Sequence, residues 1–173
     1  MRKNIYLIGF MGTGKSTVGR ILAEKLDMEF CDTDSMIEMK TGKTVEEIFE
    51  DESEEVFRNI ESEVLTEITS RKNLVVSTGG GIVVTRGNMD MMRKEGLLVS
   101  LLASADVIFE RTKNDKCRPL LNVEDPLDQI KKMLFDRAHF YIDTDFLVDT
   151  TDTPPEEAAE QIVEFYNNAD SQG

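Results

Sequence analysis

Residues 9–17 read Gly-Phe-Met-Gly-Thr-Gly-Lys-Ser-Thr. The spacing fits GxxxxGK(S/T), and the stretch falls between a short apolar run and a segment of helical periodicity, the setting this pattern needs. Glycines let the backbone wrap a phosphate closely, so that main-chain N–H groups and the start of the helix can donate to its oxygens. In such a loop Lys15 reaches the β- and γ-phosphates of a nucleotide and the Ser16 hydroxyl ligates Mg2+. An ordinary glycine turn is the competing reading.

Asp32-Thr33-Asp34 closes a second apolar run. Beyond the carboxyl end of a strand both acids face the ligand crevice of a parallel sheet, and from an extended segment residues i and i+2 point the same way. One could hold Mg2+ through water while the other accepts a hydrogen bond from a substrate hydroxyl. Equally, the pair could serve a helix start, with Asp34 capping a helix that begins at Ser35. Arg58 is the sole cation among nine acidic residues between Glu46 and Glu63. It forms weak surface ion pairs, or it presents its planar fork to a carboxylate ligand, the surrounding acids then being the solvated face of the helix. Phe49 and Phe57 could wall such a pocket or simply pack in the core.

Ser77-Thr78-Gly79-Gly80-Gly81 follows a third apolar run; three glycines permit close approach of backbone to a ligand, or make a mobile loop. Lys113, Lys116 and Arg118 lie in a polar stretch over Lys113–Asp125, with Arg111 just before it. Arg118-Pro119-Leu120-Leu121 suggests a lid that brings a cation onto transferring phosphates and excludes water. Arg137 is a further anion-binding candidate. His139, the only histidine, reads as a structural or surface residue.

The elements that must carry these residues alternate. Apolar runs at Asn4–Gly9, Phe30–Asp32, Leu74–Ser77, Leu97–Leu101 and Phe146–Asp149 read as strands. Helices are expected from Val18-Ile21-Leu22-Leu26, over an acid-rich stretch from Ser35 to about Arg71 punctuated by Gly42, from near Ser104, from Pro126, and from Pro154-Pro155-Glu156. Met89, Met91 and Met92 read as helix packing. Strands alternating with helices imply βαβ units and a parallel sheet covered on both faces.

At 173 residues the chain has room for one domain. Lys+Arg 20 against Asp+Glu 34 gives −14, which argues against a nucleic-acid coat or a polybasic membrane binder, since both need a positive field. No run of about 18 apolar residues marks a membrane span. Cys31 and Cys117 make neither a disulfide framework nor a zinc set and read as free thiols in a reducing cytosol. Small size and soluble composition favour a monomer.

Taken in order, GxxGxGKST, Asp-Thr-Asp, Arg58, Thr78 with its three glycines, Arg-Pro-Leu-Leu and Arg137-xxx-Tyr141 resemble the shikimate kinases, from about Ile5 to Phe165. The resemblance implies an α/β fold of the three-layer P-loop NTPase type, with a parallel five-stranded sheet flanked by helices. It also implies a single domain over 1–173 holding a helical substrate-binding region at about 33–62 and a mobile lid at about 112–125. The implied reaction is Mg2+- and ATP-dependent phosphorylation of the 3-hydroxyl of shikimate, in the cytoplasmic pathway to chorismate and the aromatic amino acids. Position by position, Gly12, Thr13, Gly14, Lys15, Ser16 and Thr17 would hold the ATP phosphates. Ser16 would sit on Mg2+, with Asp32 as a ligand through water. Asp34 would bind the shikimate hydroxyls and act as general base. Arg58 and Arg137 would pair with the carboxylate, and the Gly80 backbone would meet the ring hydroxyls. Arg118 would be the lid cation and Arg111 would border the adenine. The chain departs from the family pattern at His139, often proline there, at Thr144-Asp145 in place of Ala-Asp, and in the adenine stretch Thr151–Pro154. A gluconate kinase, a non-catalytic ATP-binding module and a P-loop domain acting on nucleic acid are the alternatives.

Overall fold

A computed structural model describes residues 3–114, 121 and 123–170. Five strands, β1 (Asn4–Ile8), β2 (Glu29–Asp32), β3 (Leu74–Ser77), β4 (Gly96–Leu102) and β5 (Phe146–Asp149), form one sheet in the order β2-β3-β1-β4-β5, parallel throughout. Every residue of β1 is buried, as a central strand covered on both faces must be. Its side chains alternate between two cores. Ile5 and Leu7 join Val18, Leu22, Ala158 and Ile162, under α1 (Lys15–Leu26) and α8 (Pro155–Asp170). Tyr6 and Ile8 join Ile37, Leu65, Ile68, Met92 and Ile130 on the opposite face. That second layer is built from α2 (Thr33–Thr41), α4 (Glu54–Thr69), α5 (Asn88–Glu95) and α7 (Pro126–Ile142). Met92 is fully buried and Met89 and Met91 partly so, which makes the methionine cluster helix packing as expected.

The acid-rich stretch is helical and broken at Gly42, as expected, and a second break divides the remainder, giving three helices. Gly42, at φ 70°, ends α2 and donates its N–H to the Glu38 carbonyl. Thr44 and Glu47 then form a capping box at the start of α3 (Val45–Asp51), and Ser53 caps α4 through the Val56 N–H. Both are local signals of the S/T-x-x-E and N-cap type, obscured in the sequence by the surrounding acids. Farther on, Ser104 caps α6 (Ala105–Thr112), and Asp125 with Pro126 opens α7. Among the described residues no helix is long and apolar enough to cross a membrane.

Parallel pairing brings every strand's carboxyl end to one edge. Register sets Ser77 opposite both Leu7 and Asp32, so the loop after β1, the acids after β2 and the glycines after β3 converge there.

Candidate active site

The loop between β1 and α1 reverses the chain with Gly9, Gly12 and Gly14 at φ 146°, 78° and 91°. Only glycine suits Gly9: a Cβ there would stand 2.3 Å from the Leu101 carbonyl oxygen. No side chain caps α1 at Gly14, which leaves the helix's first N–H groups to an anion. Lys15 is only 8% exposed, and its Nζ donates to the carbonyls of Gly9 and Phe10, both at 2.9 Å. Thr13 Oγ1 donates to the Phe10 carbonyl and the Thr13 carbonyl accepts from Thr150 Oγ1, each at 2.8 Å. Arg111 adds a brace: its guanidinium donates to the carbonyls of Gly12 at 3.1 Å and Thr150 at 2.7 Å.

Asp32 uses its two oxygens for different partners. Oδ1 accepts from the N–H groups of Asp34 at 3.1 Å and Ser35 at 3.3 Å, so Asp32, not Asp34, caps α2. Oδ2 accepts from Ser16 Oγ at 2.9 Å, and Ser77 Oγ lies 3.0 Å from the same hydroxyl. Three hard oxygen donors beside the phosphate loop suit a small divalent cation such as Mg2+. Thr17, exposed in the first turn of α1, lines the same cleft.

With the cap assigned to Asp32, Asp34 falls in the first turn of α2 and lines a cleft of about 210 Å³ shared with Lys15, Ser16, Thr78 and Gly80. The three glycines owe nothing to left-handed backbone, since none of them has a positive φ. What they provide is room. A Cβ on Gly79 would lie 2.8 Å from both Asp34 Oδ1 and Glu61 Oε1, and one on Gly81 would lie 2.4 Å from Arg58 Nη2. The loop is tied down rather than loose: Gly79 N–H donates to Thr33 Oγ1 at 2.8 Å, and the Gly80 carbonyl accepts from Arg137 at 3.2 Å and Tyr141 Oη at 3.1 Å.

Arg58 pairs with Glu61 at 2.8 Å and with Glu54 at 3.2 Å, its side chain 12% exposed. It is therefore no ordinary surface ion pair. Glu61 corrects the expectation that the acids around Arg58 form a solvated face: it is 0% exposed. Burial pushes its carboxyl up to about 7; Arg58 pulls against that shift, Asp34 adds to it, and Arg137 opposes it. A signal was available. Glu61 falls in the stripe Phe57, Val64, Leu65, Ile68 that α4 buries, and an acid on an apolar face is the informative exception. Phe57 is core and packs on Phe49 at 4.5 Å between ring centroids, with the Arg58 guanidinium 5.2 Å from the Phe57 ring. Arg137 likewise stands over Phe10, 5.8 Å from its centroid. His139 is exposed and its ring packs at a tilt against Phe140. Arg118 and Cys117 lie outside the described residues, as does much of the expected lid.

Comparison with known proteins points one way. A family model described as shikimate kinase matches residues 11–167. A shikimate kinase of Thermodesulfovibrio yellowstonii is 48% identical over 164 residues, 95% of this chain and 95% of that protein. The solved shikimate kinase of Acinetobacter baumannii, in complex with shikimate, has a TM-score of 0.94 at 40% identity, covering 98% of this chain and 95% of that one. A gluconokinase from Sinorhizobium meliloti is 20% identical with a TM-score of 0.59, covering 100% of this chain and 99% of that one, a likeness of fold alone.

Proposed function

The chain belongs to the shikimate kinase family, and on that premise we propose how its own residues move the γ-phosphate of ATP to the 3-hydroxyl of shikimate. It is a phosphotransferase that phosphorylates shikimate with ATP as donor. The product is 3-phosphoshikimate, on the way to chorismate.

Phosphoryl transfer passes through a loose transition state, so alignment and charge neutralisation dominate the work asked of the protein. Gly12 to Thr17 hold the phosphates, supported by the uncapped start of α1. Lys15 turns its ammonium from the loop carbonyls to the β/γ-phosphates. Ser16 and, through water, Asp32 would hold Mg2+, which would supply screening of the phosphate charge. Arg118 adds a lid cation over residues 112–125. Arg111 borders the adenine, supported by its hydrogen bonds at the junction of Gly12 and Thr150. Asp34 binds the acceptor hydroxyl and takes its proton, Arg58 and Arg137 pair with the shikimate carboxylate, and the Gly80 backbone meets the ring hydroxyls. Helices over residues 33–62 supply the acceptor pocket. The chain acts as one domain, a monomer, in the cytoplasm; its size and its lack of a disulfide framework support this, and −14 speaks against a nucleic-acid partner.

The observation that carries this reading is the position of Asp34, in one cleft with Lys15 and Ser16 and near the buried Arg58–Glu61 pair through Gly79. Arg58→Ala tests it. The shikimate KM rises by about ten- to a hundredfold, the scale of a lost charge-assisted pair, while the ATP KM stays near wild type. An unchanged shikimate KM removes Arg58 from the acceptor site. Gly81→Ala tests the same pocket without deleting a charge: its methyl would meet the Arg58 guanidinium, so the shikimate KM rises several-fold with little change in ATP binding. Equal losses for both substrates would contradict a local displacement.

A further inference from the structure

We propose that shikimate binding at Arg58 is coupled to uptake of a proton by Glu61. The inference rests on the assignment of Arg58 to the acceptor carboxylate and goes beyond it, because it concerns a buried acid to which that assignment gives no role.

Glu61 is fully buried, and only one of its oxygens is engaged: Oε2 accepts from Arg58 at 2.8 Å, while Oε1 has no hydrogen-bond partner among the described residues. Oε1 and Asp34 Oδ1 each lie 2.8 Å from the point a Gly79 Cβ would occupy, so the free side of one carboxyl is close to another. The charged groups facing Glu61 are Arg58 on its own helix, Asp34 from α2 and Arg137 from α7; Glu54, at the solvent side, engages Arg58 only. Two cations therefore balance two acids. Arg58 Nε is itself buried and has no partner among the described residues, so the guanidinium keeps donor capacity for a ligand.

A carboxylate arriving at Arg58 and Arg137 brings a third negative charge into this low-dielectric set. It draws on the cations that hold Glu61 ionised, and Glu61, fully buried, is poorly screened by water. Protonation of Glu61 restores the balance: one H+ from solvent joins its carboxylate as shikimate binds, and leaves again on release. The acid form also supplies an O–H on a carboxyl that otherwise faces Asp34 with acceptors alone. The direction follows from burial, which already holds this carboxyl at about 7. A ligand anion raises it further, so uptake is largest just above neutrality and shrinks toward pH 6, where the free protein already carries the proton. By linkage, shikimate affinity falls as pH rises from 7 to 8.5, by at most about tenfold per pH unit.

Calorimetric titration of the intact enzyme with shikimate at pH 7.5, in phosphate, HEPES and Tris, reads the proton count as the slope of observed enthalpy against buffer ionisation enthalpy. Uptake of about half a proton or more is expected. Glu61→Gln is expected to bind shikimate with no uptake and a flat affinity between pH 7 and 8.5. A normal isotherm without buffer dependence overturns the proposal alone, as does the same uptake in Glu61→Gln. Absence of any binding overturns the assignment of shikimate to this pocket, and the proposal with it. Should Glu61→Gln fail to fold, the wild-type proton count decides.

Discussion

Lys15→Ala lowers kcat by about a hundred- to a thousandfold while the chain stays folded. The expectation follows from where the ammonium sits. Lys15 is nearly buried and fixed at 2.9 Å from two carbonyls of the loop that surrounds the phosphates. The ammonium has only to turn from those carbonyls to meet the oxygens on which charge accumulates, and removing one such donor costs about 3–4 kcal/mol of transition-state stabilisation. Little of the fold depends on it: Val18, Leu22 and Leu26 carry the packing of α1, and the glycine reversal is held by Thr13, Thr150 and Arg111. Steady-state kinetics with a thermal melt of the same preparation checks this. Turnover within tenfold of wild type would mean that Lys15 serves the loop, not the reaction.

Asp34→Asn lowers kcat by about a hundred- to ten-thousandfold, the range of a lost general base, with a smaller change in shikimate KM. The amide keeps the shape of the side chain and can still hydrogen-bond a hydroxyl, but it cannot take up a proton at neutral pH. The substitution leaves the start of α2 intact, because Asp32 supplies that cap. If Asp34→Asn retained most of its kcat, the role of Asp34 as base would be untenable and orientation alone would remain.

How far the site was legible in the sequence depended on how local each signal was. The phosphate loop could be read because its glycines, Lys15 and Ser16 are contiguous and act largely through their own backbone. The strands could be read because a buried parallel sheet produces apolar runs. Glu61 could not be placed while its charge was weighed above its position in the Phe57–Leu65 stripe. The glycines after Thr78 looked like backbone freedom, but their purpose is space for Arg58, Asp34 and Glu61, residues that reach them only through the tertiary fold. The brace from Arg111 to Gly12 spans 99 residues and leaves no local trace. Asp32 and Asp34 exchanged the capping role because one carboxylate can cap with one oxygen and face Ser16 with the other.

ADP release with Mg-ATP, compared across shikimate, gluconate and no acceptor, tests the central claim most directly. Shikimate is expected to stimulate release strongly, with gluconate no better than the acceptor-free reaction. No stimulation by shikimate, or equal stimulation by gluconate, would contradict the account.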